Sequence, residues 1–106
     1  MAETRVADHW HARGFNVLAR RLRTKAGEID LIMADDATLV FVEVKARKTF
    51  AQAAGALLPG QQARLILAAE CALAEHQEWH RPNTRFDVAL VCRDGIEHVQ
   101  DAVRQF

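Results

Sequence analysis

The sequence predicts an α/β domain, a mixed sheet with helices packed against it. Three observations lead there. Two β-rich runs flank an acidic turn at Asp35-Asp36, a long helical stripe follows Pro59-Gly60, and another β-rich run, Arg85 to Cys92, comes after that helix. A helix between two strands favours a parallel crossover, whereas the acidic turn joins antiparallel neighbours. With 106 residues, half of them hydrophobic, one core spanning residues 1–106 is expected.

Glu3 to Arg13 reads as a helix with Val6, Ala7 and Trp10 as its apolar stripe and Gly14 as its stop. Phe15 to Arg23 is a strand of imperfect alternation, and Thr24-Lys25-Ala26-Gly27 turns the chain into the hairpin, giving a three-stranded antiparallel meander that ends near Arg47. Lys48 to Leu58 is small and weakly patterned, which predicts a mobile loop beside the end of the last hairpin strand. Pro59 and Gly60 open a helix to about Glu78, with Leu65, Ile66, Ala69, Ala72 and Leu73 facing the sheet and Arg64, Glu75 and Glu78 away from it. Pro82-Asn83 breaks the chain before a buried strand, and Arg93-Asp94-Gly95 turns it into a short last strand, Ile96 to Val99. The order is α-β-β-β-α-β-β.

The hairpin carries the chemistry. A turn centred on Asp35 and Asp36 puts Ile29, Leu31, Met33, Thr38, Val40, Val42 and Val44 on one face, because side chains alternate along each strand. The opposite face then holds Glu28, Asp30, Ile32, Leu39, Phe41, Glu43 and Lys45, with Glu28 directly across from Glu43. Like charges so placed destabilise a sheet by up to about 1 kcal/mol, so a positive partner is expected. Lys45 supplies one charge. A hard divalent cation, Mg²⁺ or Mn²⁺, is the natural other, since such ions take one or two carboxylates and fill their remaining positions with water and substrate phosphate. An ordinary exposed strand face with a weak Glu-Lys pair is the plainer reading of Glu43 and Lys45.

Asp30 followed by Glu43-Val44-Lys45 resembles the bipartite motif of the PD-(D/E)xK nuclease superfamily. The longer strings Gly27-Glu28-Ile29-Asp30-Leu31-Ile32 and Val40-Phe41-Val42-Glu43-Val44-Lys45-Ala46-Arg47 are similar to those of the YraN-like family of small bacterial proteins, regarded as relatives of archaeal Holliday-junction resolvases. Ile29 stands where the superfamily's name would have proline. The resemblance runs from Glu3 to about Val99. It implies a restriction-endonuclease-like αβββαβ core, catalysis by Asp30, Glu43 and Lys45, and a metal held by Asp30, Glu43 and the backbone carbonyl of Val44. It also implies supporting roles for Glu3, Glu28 and Gln62, and a homodimer matched to the two-fold symmetry of a four-way junction. Plainer readings exist for these three. Glu3 suits the start of a helix, Glu28 can pair with Arg23, and Gln61 and Gln62 suit an exposed helix start.

Charge is uneven although the formal net charge is zero. Arg13, Arg20, Arg21, Arg23 and Lys25 form one positive segment and Lys45, Arg47, Lys48 and Arg64 another, which reads either as phosphate-binding surface around an acidic centre or as an ordinary solvated face. Arg20, Arg21, Arg23, Lys25, Arg47 and Lys48 are the candidate nucleic-acid contacts. Cys71 and Cys92 show no ligand spacing and are expected as buried free thiols. His76 and His80 do not form the His-Glu-x-x-His zinc motif, and Arg85 with Asp87 reads as a structural salt link. No apolar run is long enough to span a membrane and no secretory leader is legible, so a cytoplasmic location is expected.

The expected function is metal-dependent endonuclease action on DNA, with branched or recombination intermediates as substrates. The alternatives are a nucleic-acid-binding module that keeps the nuclease fold without catalysis, and an interaction protein with an apolar edge.

Overall fold

A computed structural model describes residues 2–55 and 59–101. The elements are α1 (Ala2–His11), β1 (Asn16–Thr24), β2 (Gly27–Ala34), β3 (Thr38–Ala46), α2 (Phe50–Gly55), α3 (Pro59–Glu75), β4 (Asn83–Cys92) and β5 (Gly95–Val99). The five strands form one sheet in the order β1-β2-β3-β4-β5. Only β3 and β4 run parallel; every other pair is antiparallel. The crossover through α3 therefore has the predicted sense. The expected mixed sheet with helices is present, consistent with a restriction-endonuclease-like core extended by β5.

Each face of the sheet buries its own apolar cluster. Val6, Ala7 and Trp10 of α1 cover Leu31, Met33, Val40, Val42, Ala89 and Val91. Leu65, Ala68, Ala69 and Ala72 of α3, with Ala53 of α2, cover Ile32, Leu39, Phe41, Phe86, Val88 and Leu90. The alanines let α3 come close to the sheet, and the Phe41 and Phe86 rings stack there at 5.5 Å between centroids.

The hairpin register corrects the expectation. Asp35 N donates to Thr38 O at 3.1 Å, and Asp35 Oδ1 accepts from Ala37 N and Thr38 N, so the turn is centred one residue later, on Asp36-Ala37. Ala34 consequently pairs with Leu39 and Leu31 with Val42. A shift of two in register leaves the faces unchanged over the paired residues Leu31–Ala34 and Leu39–Val42, but it moves Glu28 away from Glu43. Continued past Leu31–Val42, the register puts Asp30 across from Glu43.

Other departures have local causes. Ile29 packs in the α3-side cluster rather than with Leu31. The register of β1 against β2 is continuous there, with Arg20 paired to Leu31 and Leu22 to Ile29, but Arg21 between them has a left-handed φ of 50°. A register shift between Val17 and Ala19 accounts for the imperfect alternation of β1. The predicted loop contains α2, because Thr49 caps it: its Oγ1 accepts from Gln52 N at 3.2 Å and its carbonyl from Ala53 N at 3.1 Å. Residues 56–58 of that predicted loop lie outside the described residues. The long helix ends at Glu75, followed by a single 3-10 turn at Gln77–Trp79. Both cysteines are free, but only Cys92 is buried; Cys71 is partly exposed at the margin of the α3 stripe.

Candidate functional site

Asp30, Glu43 and Lys45 lie where β2 and β3 stop pairing. Past Leu31–Val42 the ladder gives way to a side chain, with Val44 N donating to Asp30 Oδ2 at 2.8 Å. Burial pushes the Asp30 carboxyl up to about 6, against the opposing Val44 N–H; the nearby Glu43 and Glu28 charges push it the same way, and Lys45 pulls it back. Lys45 Nζ sits 3.1 Å from Glu43 Oε1, with the two side chains 11% and 18% exposed. This is a largely desolvated pair rather than the loose surface contact that most strand Glu-x-Lys triplets make.

A cavity of about 220 Å³ opens beside them, lined by Glu28, Glu43, Gln61, Arg64 and Leu65. Sheet and helix build it together. Glu28 and Glu43 come from β2 and β3, and the first turns of α3 supply the rest. Of the two candidate glutamines it is Gln61, not Gln62, that lines the cavity, and Gln61 Oε1 is buried without a hydrogen-bond partner. Two carboxylates and an unpaired amide oxygen form an all-oxygen donor set, which fits a hard cation and not a soft one. Among the described residues, no three His, Cys, Asp or Glu side chains gather into a metal cluster. A cation here would therefore draw on no more than two carboxylates at once, Glu28 with Glu43 at the cavity or Asp30 with Glu43 beside it, together with the oxygens of Gln61 or the Val44 backbone and water for the remainder.

The basic residues divide into groups. Arg47 and Lys48, after β3, meet Gln52, Arg93 and Asp94 around an open cleft of about 940 Å³. Arg93 joins them because β3 and β4 are parallel, so their C-terminal ends lie side by side, with Arg47 N bonded to Val91 O at 3.0 Å. Arg20 and Arg21 instead turn to α1: Arg20 Nη1 donates to Thr4 Oγ1 at 3.1 Å and Arg21 Nε lies 2.8 Å from Glu3 Oε1. Arg23 remains nine-tenths exposed and reaches Glu28 Oε2 only at 3.9 Å, and Lys25 is exposed in the β1–β2 turn.

A second polar centre lies on the α1 side of the sheet. Asp87 is fully buried; it accepts from Arg85 Nε at 2.9 Å, from His98 Nε2 at 2.7 Å and from Asp101 N at 2.8 Å. Trp10 Nε1 donates to His98 Nδ1 at 2.9 Å, so the His98 proton is on Nε2 and the ring is neutral. Burial alone would raise the Asp87 carboxyl, but these donors hold it below its usual value. The Arg85–Asp87 link expected from the sequence is present, enlarged by His98 and Trp10. His76 stacks on Trp79 at 3.9 Å and contacts Glu78 at 3.4 Å, while His80 is exposed.

Two residues at these sites were legible in part and a third was not read. Gln61 and Gln62 were both candidates for substrate contact, and only the helix phase relative to the sheet selects Gln61. Arg64 belonged to the second positive segment but was expected away from the sheet-facing stripe. Arg93 had a usable signal: a turn that follows a strand parallel to β3 must lie near the residues that follow β3.

The comparisons with known proteins agree on one family. Residues 2–91 match the model of a family described as Uncharacterised protein family UPF0102. The chain is similar to a UPF0102 protein of Acidiphilium cryptum, 52% identical over 103 residues, covering 97% of this chain and 80% of that one. It is 49% identical over 102 residues to one from Azorhizobium caulinodans, covering 95% and 78% of the two chains. With one from Gloeobacter violaceus the identity is 50% over 99 residues, covering 88% and 76%. The chain belongs to the UPF0102 family.

Proposed function

We propose that this protein is a metal-dependent endonuclease of the PD-(D/E)xK type that hydrolyses DNA phosphodiester bonds, with branched or recombination-intermediate DNA as its substrate. The observation that carries the reading is the meeting of Asp30, Glu43 and Lys45 at the splayed end of β2 and β3, beside a cavity that offers the oxygens of Glu28, Glu43 and Gln61. Mg²⁺ or Mn²⁺ bound there would stabilise charge on the phosphoryl oxygens and acidify a water.

The chain's own groups supply the remainder. In hydrolysis a water oxygen bonds to phosphorus as an ester P–O bond breaks, and the departing alkoxide takes up the proton that the water sheds. Lys45, held at 3.1 Å by Glu43, places a cation next to the negative charge that develops in this step or orients the attacking water. The Asp30 carboxylate is fixed by the Val44 N–H at 2.8 Å, so it does not need to be ordered when the substrate arrives. Arg47, Lys48 and Arg93 around the open cleft supply phosphate contacts beyond the cut bond. A homodimer would present two such sites to a four-way junction, and a chromosomal substrate would place the protein in the cytoplasm.

The test is cleavage of labelled single-stranded, duplex, flap and four-way-junction DNA in Mn²⁺, Mg²⁺ or EDTA. Cutting is expected with metal only, reduced by about a hundredfold or more in Asp30→Asn and Lys45→Ala. Binding without cutting in any metal would favour the non-catalytic module, and neither binding nor cutting would remove the reading altogether.

A further inference from the structure

Arg64 has an unusual position for an exposed helical arginine. It stands one turn after Gln61 on α3, and its methylenes lie across the backbone of Gly27, the first residue of β2. A Cβ at position 27 would come within 2.9 Å of Arg64 Cδ and 3.1 Å of Cγ, and Gly27 also takes a φ of +141° that other residues rarely adopt. Glycine at this point lets the arginine stem settle against the strand. With its stem held there, Arg64 lines the cavity together with Glu28, Glu43 and Gln61.

The charge pattern around it is incomplete. Glu43 is satisfied by Lys45 at 3.1 Å, and among the described residues Glu28 has only the distant Arg23 at 3.9 Å. Arg64 shares the cavity with both carboxylates, yet among the described residues its guanidinium makes no hydrogen bond or ion pair. A held stem with an uncommitted, planar, five-donor head is suited to an oxyanion that arrives from outside, and a phosphodiester matches its geometry.

Building on the nuclease reading, we propose that Arg64 grips a non-bridging oxygen of the substrate phosphate in the Glu28–Glu43–Gln61 cavity. Gly27 is the residue that lets it do so. The role is distinct from that of Lys45, which is bound to Glu43 and nearly buried, and from that of the cleft at Arg47 and Lys48.

The experiment is equilibrium binding of fluorescein-labelled duplex and four-way-junction DNA by anisotropy, in EDTA, across a salt series. Native protein is compared with Arg64→Ala and Arg64→Lys, and with Arg5→Ala, which removes an exposed charge from α1. Arg64→Ala is expected to weaken binding about tenfold and to lower the salt slope by about 1, Arg64→Lys to recover part of the loss, and Arg5→Ala to bind as native does. Thermal melts of each variant check that the fold is kept. Arg64→Ala binding as tightly as native overturns the inference, as does native protein that binds neither DNA at any salt. Because nothing is cut in EDTA, native protein that binds without cutting in Mn²⁺ refutes the nuclease reading and leaves the Arg64 result to be judged on binding alone.

Discussion

Asp30 is the residue whose surroundings most oppose its charge. Its pKa is raised by burial to about 6, so between about pH 4 and 6 the folded chain binds more protons than the unfolded one. Stability of the metal-free protein should therefore fall as pH rises through that window and stay lowered above it. Asp30→Asn removes the penalty and keeps an oxygen for the Val44 N–H. In EDTA its melting temperature is expected to exceed the native one above pH 6 and to converge with it near pH 4; equal melting at every pH would contradict this account of the carboxylate. At this scale the sequence was legible in part. Strand alternation placed Glu43 and Lys45 on one face, where their ion pair forms, because parity survives an error of two in register; it did not foresee that Ile29, beside Asp30, turns to the α3 side. The partner of Asp30 was not legible, since it is a backbone N–H freed where the ladder ends, and no residue type announces that.

The elements are held in place by the Asp87 centre, which joins β4 through Asp87 and Arg85, β5 through His98 and α1 through Trp10. Replacing Asp87 with alanine leaves a buried imidazole and a guanidinium without their acceptor. Denaturant unfolding of Asp87→Ala should show a loss of about 3–5 kcal/mol, and a loss below about 1 kcal/mol would show that the centre does not hold these elements together. Since the folded pKa of Asp87 lies below its ordinary value, its contribution is present at neutral pH and disappears as pH falls below about 4. The Arg85–Asp87 part could be read from two same-face positions in one strand. The Trp10–His98 link spans 88 residues of sequence and the His98–Asp87 link 11 residues across the β4–β5 turn, and only the assembled sheet brings them together. The short helix α2 was missed for a different reason: its start rests on the Thr49 cap, while its small side chains show little periodicity.

At the scale of the whole molecule, the zero net charge conceals a separation of roles. Carboxylates and Lys45 occupy the end of the β2–β3 pair, the Arg47, Lys48 and Arg93 cleft forms at the ends of β3 and β4, and Arg20 and Arg21 are committed to α1. The architecture was legible because a meander, a helix and a buried strand leave few right-handed solutions. Which basic residues stay available was not, because that depends on packing between elements distant in sequence. No helix among the described residues is long and apolar enough to cross a membrane.

The central claim is that the carboxylate end of β2 and β3 is a site for a hard divalent cation. Electron paramagnetic resonance of Mn²⁺ titrated into the native protein tests it most directly, with Glu43→Gln and Asp30→Asn in parallel. The account predicts a bound, broadened Mn²⁺ population in the native protein that is lost or greatly weakened in both variants and displaced by excess Mg²⁺. A native titration indistinguishable from buffer, or binding unchanged in both variants, would contradict it.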